Sequence, residues 1–188
     1  MDKLVIDIET KNTIADVGGP QNIPNLSMSF VGVYSYSKDK YFSFFEKDFT
    51  ALDQMLVRAG MIIGFSINRF DLPILNRHFQ RNFNTIETLD ILDEIEEKLG
   101  HRIGLNQLAY TNLGIGKTSH GLEAITFYNE GRFEELEKYC INDVKITKDL
   151  YDLGKRQGNL LVPTNHGRDI IKVEFDWKDR LPIANTLF

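Results

Sequence analysis

The stretch Leu4-Val5-Ile6-Asp7-Ile8-Glu9-Thr10 constrains the fold of this chain more than any other, because two carboxylates close an otherwise apolar run. Val5, Ile6 and Ile8 read as a buried strand, and a strand buried on both faces carries an aspartate only where something offsets the charge. A bound cation would do so. Side chains two apart on a strand share a face, so Asp7 and Glu9 can reach one metal cluster. Taken alone, the stretch also allows Asp7 to end the strand and Glu9 to sit in solvent. Two later stretches bear on that choice.

Asn12 to Asn25 follows, with Gly18-Gly19-Pro20 and Ile23-Pro24-Asn25, and reads as a loop beside the strand's carboxyl end, where loops commonly line a site. Phe30 to Tyr36 and Tyr41 to Phe45 are aromatic and branched, and the link Ser37-Lys38-Asp39-Lys40 makes them a hairpin, antiparallel with the first strand. Asp48 to Ala59 spaces Phe49, Leu52, Leu56 and Ala59 as a helix does, with Asp48 or Thr50 as cap and Gly60 as stop. Met61 to Phe65 is a short apolar run that suits a central strand parallel to the first. Leu72, Leu75, His78 and Phe79 are at helical spacing, with Pro73 in the first turn. Thr88 to Leu92 is a further short strand, and Ile91 to Leu113 reads as two helical pieces broken at Gly100 to Gly104. Gly114 to Gly121 is a loop, and Phe133 to Tyr151 a long helix ended by Gly154. Ile170 to Trp177 alternates as a late strand, without a functional reading. The order strand, hairpin, helix, strand predicts an α/β layered domain.

With 188 residues, 42% apolar and 26% charged, the chain can bury one good core. We expect a single domain over 1–188, with 1–155 as core and 156–188 as a C-terminal extension. The lone Cys140 excludes an internal disulfide framework, and four scattered histidines argue against zinc. One early Lys3, a short apolar run and then carboxylates give neither a signal peptide nor a membrane span, so the cytoplasm is the expected location. A net charge of -5 disfavours coating of duplex backbone through many phosphate contacts. Cations over the carboxylates would still permit local nucleic-acid binding.

The second stretch, Gly64 to Leu75, sets Asp71 between a buried strand and a helix start. Asp71 could simply cap that helix, or stand at the carboxyl edge of a central strand beside the end of the first. The third is Tyr139-Cys140-Ile141-Asn142-Asp143-Val144 within the long helix. Phe133, Leu136, Cys140, Val144, Thr147 and Tyr151 form its buried stripe, and Tyr139 and Asp143, four apart, lie together beside it. Asp7, Glu9, Asp71 and Asp143 are hard oxygen ligands of the kind Mg²⁺ or Mn²⁺ prefers, with no softer ligand to favour zinc. Two such ions about 4 Å apart clamp the attacking and leaving oxygens of a phosphodiester displacement. Tyr139 has the reach to orient the attacking water; a free tyrosine, with pKa about 10, is a poor base for it.

Asp-Ile-Glu-Thr, then Phe-Asp-Leu-Pro, then Tyr-Cys-x-x-Asp resemble the motifs of the DEDD superfamily of 3′-to-5′ exonucleases, in the subgroup with tyrosine in its third motif. Within it they are most similar to the proofreading domain of family B DNA polymerases and its stand-alone bacterial relatives. Gly104 to Lys117, with Leu105, Leu108, Ala109, Leu113, Gly114 and Lys117, resembles the segment that family carries between its second and third motifs. The likeness runs from about Leu4 to Tyr151. It implies an α/β ribonuclease H-like fold, a mixed central sheet of antiparallel hairpin plus parallel strands flanked by helices. It also implies Asp7, Glu9, Asp71 and Asp143 as ligands of two divalent cations, Mg²⁺ or Mn²⁺, and Tyr139 as the residue aligning the nucleophile. Thr10, Ser66, Asn68, Phe70 and Lys117, in or beside these motifs, are the expected substrate contacts. One departure is visible: the family usually has asparagine five residues before the second-motif aspartate, where this chain has Ser66, with Asn68 in a different register. The implied partner is a nucleic-acid 3′ end, DNA ahead of RNA, with a helicase, polymerase or repair protein supplied in trans. The chain has no room for a polymerase domain.

Other signals compete. Gly114-Ile115-Gly116-Lys117-Thr118 ends like a phosphate-binding P-loop, but Thr111 stands where that pattern requires glycine and a helix rather than a strand precedes it. Lys117 or His120 could touch substrate phosphate from this loop, a solvated loop being the plainer reading. Arg69, Arg77, His78 and Arg81 form a basic cluster near Asp71 that could guide a strand or merely be solvated. Phe30, Phe65 and Phe70 read as core more readily than as stacking platforms. An RNA-trimming exonuclease and a catalytically silent binding module are the alternative functions, and all five filled catalytic positions weigh against the module.

Overall fold

The computed structural model describes residues 1–115, 122–164 and 169–177. Among these, a five-stranded mixed sheet carries the architecture. Its strands are β1 (Asp2–Thr10), β2 (Met28–Ser35), β3 (Lys40–Phe45), β4 (Ala59–Gly64) and β5 (Glu87–Asp90), in the spatial order β3-β2-β1-β4-β5. The expected hairpin is β2-β3, paired antiparallel from Phe30↔Phe45 to Ser35↔Lys40. β1 lies antiparallel to β2 and parallel to β4, so it is the central strand. Such a strand must be apolar on both faces, and β1 alternates accordingly: Val5 belongs to one core while Leu4, Ile6 and Ile8 belong to the other.

Helices cover both faces. α1 (Phe49–Val57) and α2 (Asp71–Phe79) pack on the Leu4/Ile6/Ile8 side through Leu52, Leu56, Ile74 and Leu75. On the other side lie α3 (Ile91–Leu99), α4 (Leu105–Leu113), α5 (Leu122–Asn129) and α6 (Phe133–Gln157). The division of α3 from α4 falls where the glycines at 100 and 104 predict it, Gly100 taking the left-handed C-cap conformation of α3.

Four expectations change. α1 ends at Val57, and Gly60 belongs to β4 instead of stopping the helix. α6 continues through Gly154 and ends at Gln157 with Gly158 as its left-handed cap. Gly154 lies inside the helix because Trp177 packs on it, with ring atoms 2.3 to 3.1 Å from where a Cβ would be. Phe133, expected on the buried stripe, is 47% exposed, whereas Leu136, Cys140, Val144, Thr147 and Tyr151 are buried as predicted. The late strand is β7 (Ile170–Glu174), and its partner β6 (Asn159–Pro163) had no reading in the sequence. This hairpin closes the α6 side of the core through Leu160, Val162, Val173, Phe175 and Trp177. Among the described residues no helix is long and apolar enough to cross a membrane.

Candidate active site

The parallel pairing of β1 with β4 runs only as far as Val5↔Ile63, and β4 stops at Gly64. The remainder of β1, Ile6 to Thr10, therefore keeps β2 on one side and lacks a strand on the other. A cleft of about 530 Å³ opens there, at the carboxyl ends of two parallel strands, where open α/β sheets place their ligands. Asp7, Glu9, Thr10, Asp71, Tyr139 and Asp143 line it, together with Ser66, Phe70, Phe65 and the Asn12–Ala15 part of the loop after β1.

Each carboxylate arrives by a separate local cause. Asp7 and Glu9 alternate with Ile8 and so share the face that α6 crosses. Asp71 is the first residue of α2 and not its cap; Phe70 occupies the N-cap position and no side-chain cap bond is made. Asp71 is 4% exposed, and its Oδ1 is buried with no hydrogen-bond partner. Tyr139 and Asp143 are one turn apart on α6, beside the Cys140/Val144 stripe.

The approach of α6 to β1 depends on a residue that the motifs do not contain. Gly32 of β2 sits opposite Asp7 in the antiparallel register. A Cβ on Gly32 would lie 2.9 Å from Val144 Cγ2, 3.1 Å from Cys140 Sγ and 3.2 Å from Ile141 Cδ1. The missing methyl lets the helix seat against the sheet, and it brings the Cys140 thiol to 3.3 Å from Asp7 Oδ2. Ligand atoms of Asp7, Glu9 and Cys140 then lie within 4.8 Å of one another. The sulfur corrects the expectation of an all-oxygen neighbourhood. Burial, followed by the charges of Asp7 and Glu9, pushes the thiol pKa well up, so it stays a neutral S–H donor to Asp7 and not a soft thiolate ligand.

Burial and crowding of like charges dominate the electrostatics of the cleft. Burial, then the charges of Glu9, Asp143 and Asp71, hold the Asp7 carboxyl well above its usual range. Glu9 is raised well above its usual range by burial and by the charges of Asp143 and Asp71. Burial lifts Asp71 to about 8 despite the N–H groups of Asp71 and Ile8, and Asp143 to about 6 despite hydrogen bonds from Asn142 and Tyr139. Burial and the surrounding acids raise the Tyr139 hydroxyl as well, so it remains protonated. Four acids that cannot all ionise together, one with an orphaned buried oxygen, form a donor set that fits hard divalent cations.

The remaining predicted contacts divide. Thr10 is buried and its hydroxyl donates to the Asn12 carbonyl at 2.9 Å, at the cleft wall. Phe70 lines the cleft, and Phe65, expected in the core, shares the wall with it; Phe30 is fully buried. Ser66 lines the cleft in a left-handed backbone conformation, φ 69°. Asn68 turns away, its side-chain amide donating to Asp93 Oδ2 at 2.8 Å. Lys117 and His120 lie outside the described residues. The basic cluster is largely spent on acids: Arg69 pairs with Glu96 at 2.7 Å and Arg81 with Asp53 at 2.7 Å, while His78 packs edge-on against Phe49. Sequence reading missed Asp90. This buried carboxylate accepts the N–H groups of Ser66 at 2.7 Å, Asn68 at 3.0 Å and Leu92 at 3.0 Å, tying the turn before Asp71 to α3.

Residues 4–154 match the family model of the RNase_H superfamily. The chain belongs to the RNase_H superfamily. That membership agrees with the mixed sheet and its flanking helices, and it supports a nuclease acting on nucleic acid with divalent metals. Comparison with curated proteins gives no match. Among solved structures, the fold is similar to a family B DNA polymerase from the hyperthermophilic archaeon Pyrobaculum calidifontis, with 15% identity and a TM-score of 0.64. The likeness covers 82% of this chain and 24% of the polymerase chain, so the superfamily member spans about a quarter of that protein's length.

Proposed function

We propose that the protein is a metal-dependent 3′-to-5′ exonuclease, hydrolysing phosphodiester bonds at the 3′ end of single-stranded DNA and releasing nucleoside monophosphates. The observation that carries this reading is the convergence of Asp7, Glu9, Asp71 and Asp143, with Tyr139, on one cleft at the end of β1. The polarity rests on the likeness of the three motifs to those of the DEDD exonucleases.

Asp7, Glu9, Asp71 and Asp143 would hold two divalent cations, Mg²⁺ or Mn²⁺. Such ions, when bound, acidify a water and offset the charge that develops on the phosphate. Tyr139 keeps its proton, which Asp143 accepts, so its oxygen would orient the attacking water by accepting a hydrogen bond from it, leaving deprotonation to others. The Cys140 thiol donates to Asp7 and fixes which way that carboxylate turns. Thr10, Phe70 and Phe65 wall the space for the terminal nucleotide with a hydroxyl and two rings, a surface that accepts any base by stacking.

Digestion of 5′-labelled single-stranded DNA and RNA with Mg²⁺ or Mn²⁺ tests the reading, with EDTA and Asp7→Ala as controls. We expect a ladder shortening from the 3′ end on DNA, absent in both controls. A ladder on RNA alone would make the protein an exoribonuclease, and no cleavage of either strand would reject the assignment.

A further inference from the structure

Ser66 stands where the resembling family usually carries asparagine, and the structure shows what has grown around it. Its backbone is left-handed, a conformation that asparagine tolerates and serine rarely adopts. Asp90 holds it there through the N–H groups of Ser66 and Asn68. The Ser66 hydroxyl, at the cleft wall, accepts a hydrogen bond from Arg102 Nη2 at 3.0 Å. A serine hydroxyl that accepts in this way still has its own proton to donate.

Arg102 itself comes from the linker between α3 and α4 and is half exposed. Its ion pair with Glu96 is long, 3.9 Å, and Glu96 has a closer partner in Arg69 at 2.7 Å. The guanidinium charge is therefore little neutralised, and a guanidinium bound once to Ser66 keeps further N–H donors in a planar fork that matches phosphate. Around a cleft lined with four acids, on a chain of net charge -5, a backbone phosphate needs such a cation at the rim.

We infer that Arg102 and Ser66 act as a coupled clamp on the nucleic-acid strand: Arg102 binds a backbone phosphate near the 3′ end, and its hydrogen bond to Ser66 leaves the Ser66 proton to donate to the same terminal nucleotide. This rests on the exonuclease reading above. It adds a substrate contact from outside the three motifs and replaces the asparagine that this chain lacks.

The test is binding of a 5′-fluorescein single-stranded oligonucleotide by anisotropy, with Ca²⁺ in place of Mg²⁺, over a series of salt concentrations. Arg102→Ala should weaken binding about tenfold and lower the slope of log Kd against log salt by roughly 0.7, the value of one lost single-strand phosphate contact. Arg102→Lys should restore most of that slope, and in Mg²⁺ the Arg102→Ala change should appear in KM with kcat nearly intact. Because the pair is coupled, Ser66→Ala added to Arg102→Ala should cost less than the two single losses multiplied. An unchanged salt slope, or multiplicative losses, would overturn the clamp. A wild-type protein that binds no oligonucleotide would overturn the exonuclease reading and the clamp with it, a result distinct from wild-type binding that ignores Arg102.

Discussion

Tyr139 is surrounded by Asp143, Glu9 and Asp7, and each negative charge makes loss of its proton harder. A tyrosine so placed keeps its proton, so on the proposed reading its contribution is separable from that of the acids. Tyr139→Phe should lower kcat about 10²-fold, the usual cost of one well-aimed hydrogen-bonding group, while Mn²⁺ binding measured by calorimetry stays within twofold of wild type. A variant that loses the metal would place Tyr139 among the groups that build the ion site. At this scale the sequence was informative where chemistry is dense: two acids two apart on a strand, and a tyrosine and an acid four apart on a helix, need no tertiary knowledge to be put on common faces. It was silent on Asp90 and Arg102, because their partners lie 24 and 36 residues away and no local period links them. Cys140 was read as core, which it is, but its contact with Asp7 spans 133 residues.

Among the elements, α6 decides whether the site closes, and two glycines decide how α6 sits. Gly32→Ala should push Val144, Cys140 and Ile141 outward and shift Asp143 and Tyr139 away from β1. Overpacking of this kind costs about 1–3 kcal/mol. The expected result is a lower urea midpoint together with weakened Mn²⁺ binding, and a loss of stability with metal affinity unchanged would show that the helix can yield without moving the site. Gly154→Ala sets two effects against each other. Alanine favours a helix interior by about 1 kcal/mol, but its Cβ would meet Trp177 Cζ3 at 2.3 Å. Packing should win, detaching the β6-β7 hairpin: the emission of Trp177, the single tryptophan, moves to longer wavelength while metal binding is retained. A glycine between Val31 and Val33 in a strand is the kind of signal that marks close approach, so the seat of α6 could have been found. Strand β6 was harder to find: Gly158 stops the helix, but Asn159–Pro163 is short, and among the described residues its partner is a strand beyond Pro163 with no local period to link the two.

For the molecule as a whole, the acidic cleft is a cost that bound cations would offset. The carboxyl of Asp71 rises from an ordinary 3.8 to about 8 in the folded chain, so metal-free protein is favoured at low pH and loses that contribution as pH climbs through the folded value. Asp7, Glu9 and Asp143 are raised too and act in the same direction. In EDTA, Tm should therefore fall between about pH 5 and pH 8.5, by roughly 5 °C or more on a scale where 1 kcal/mol moves a domain of this size about 2–4 °C. Saturating Mn²⁺ at pH 8.5 should return most of the loss, and a metal-free Tm that is flat over this range would contradict the clustering of the acids.

Asp7 and Glu9 ride on β1, which has a neighbouring strand on each side along its first half and helices over both faces. Central strands are the last segments of a fold to open, and their amide protons the slowest to exchange with solvent. Asp71 and Asp143 stand on helices held by side-chain packing, whereas Asp7 and Glu9 lie beyond the end of the β4 pairing and are anchored by the β2 ladder alone. On the proposed two-metal reading, an arriving ion would meet two acids on a strand fixed at its root and tied along one edge, and two more on helices that must settle around it.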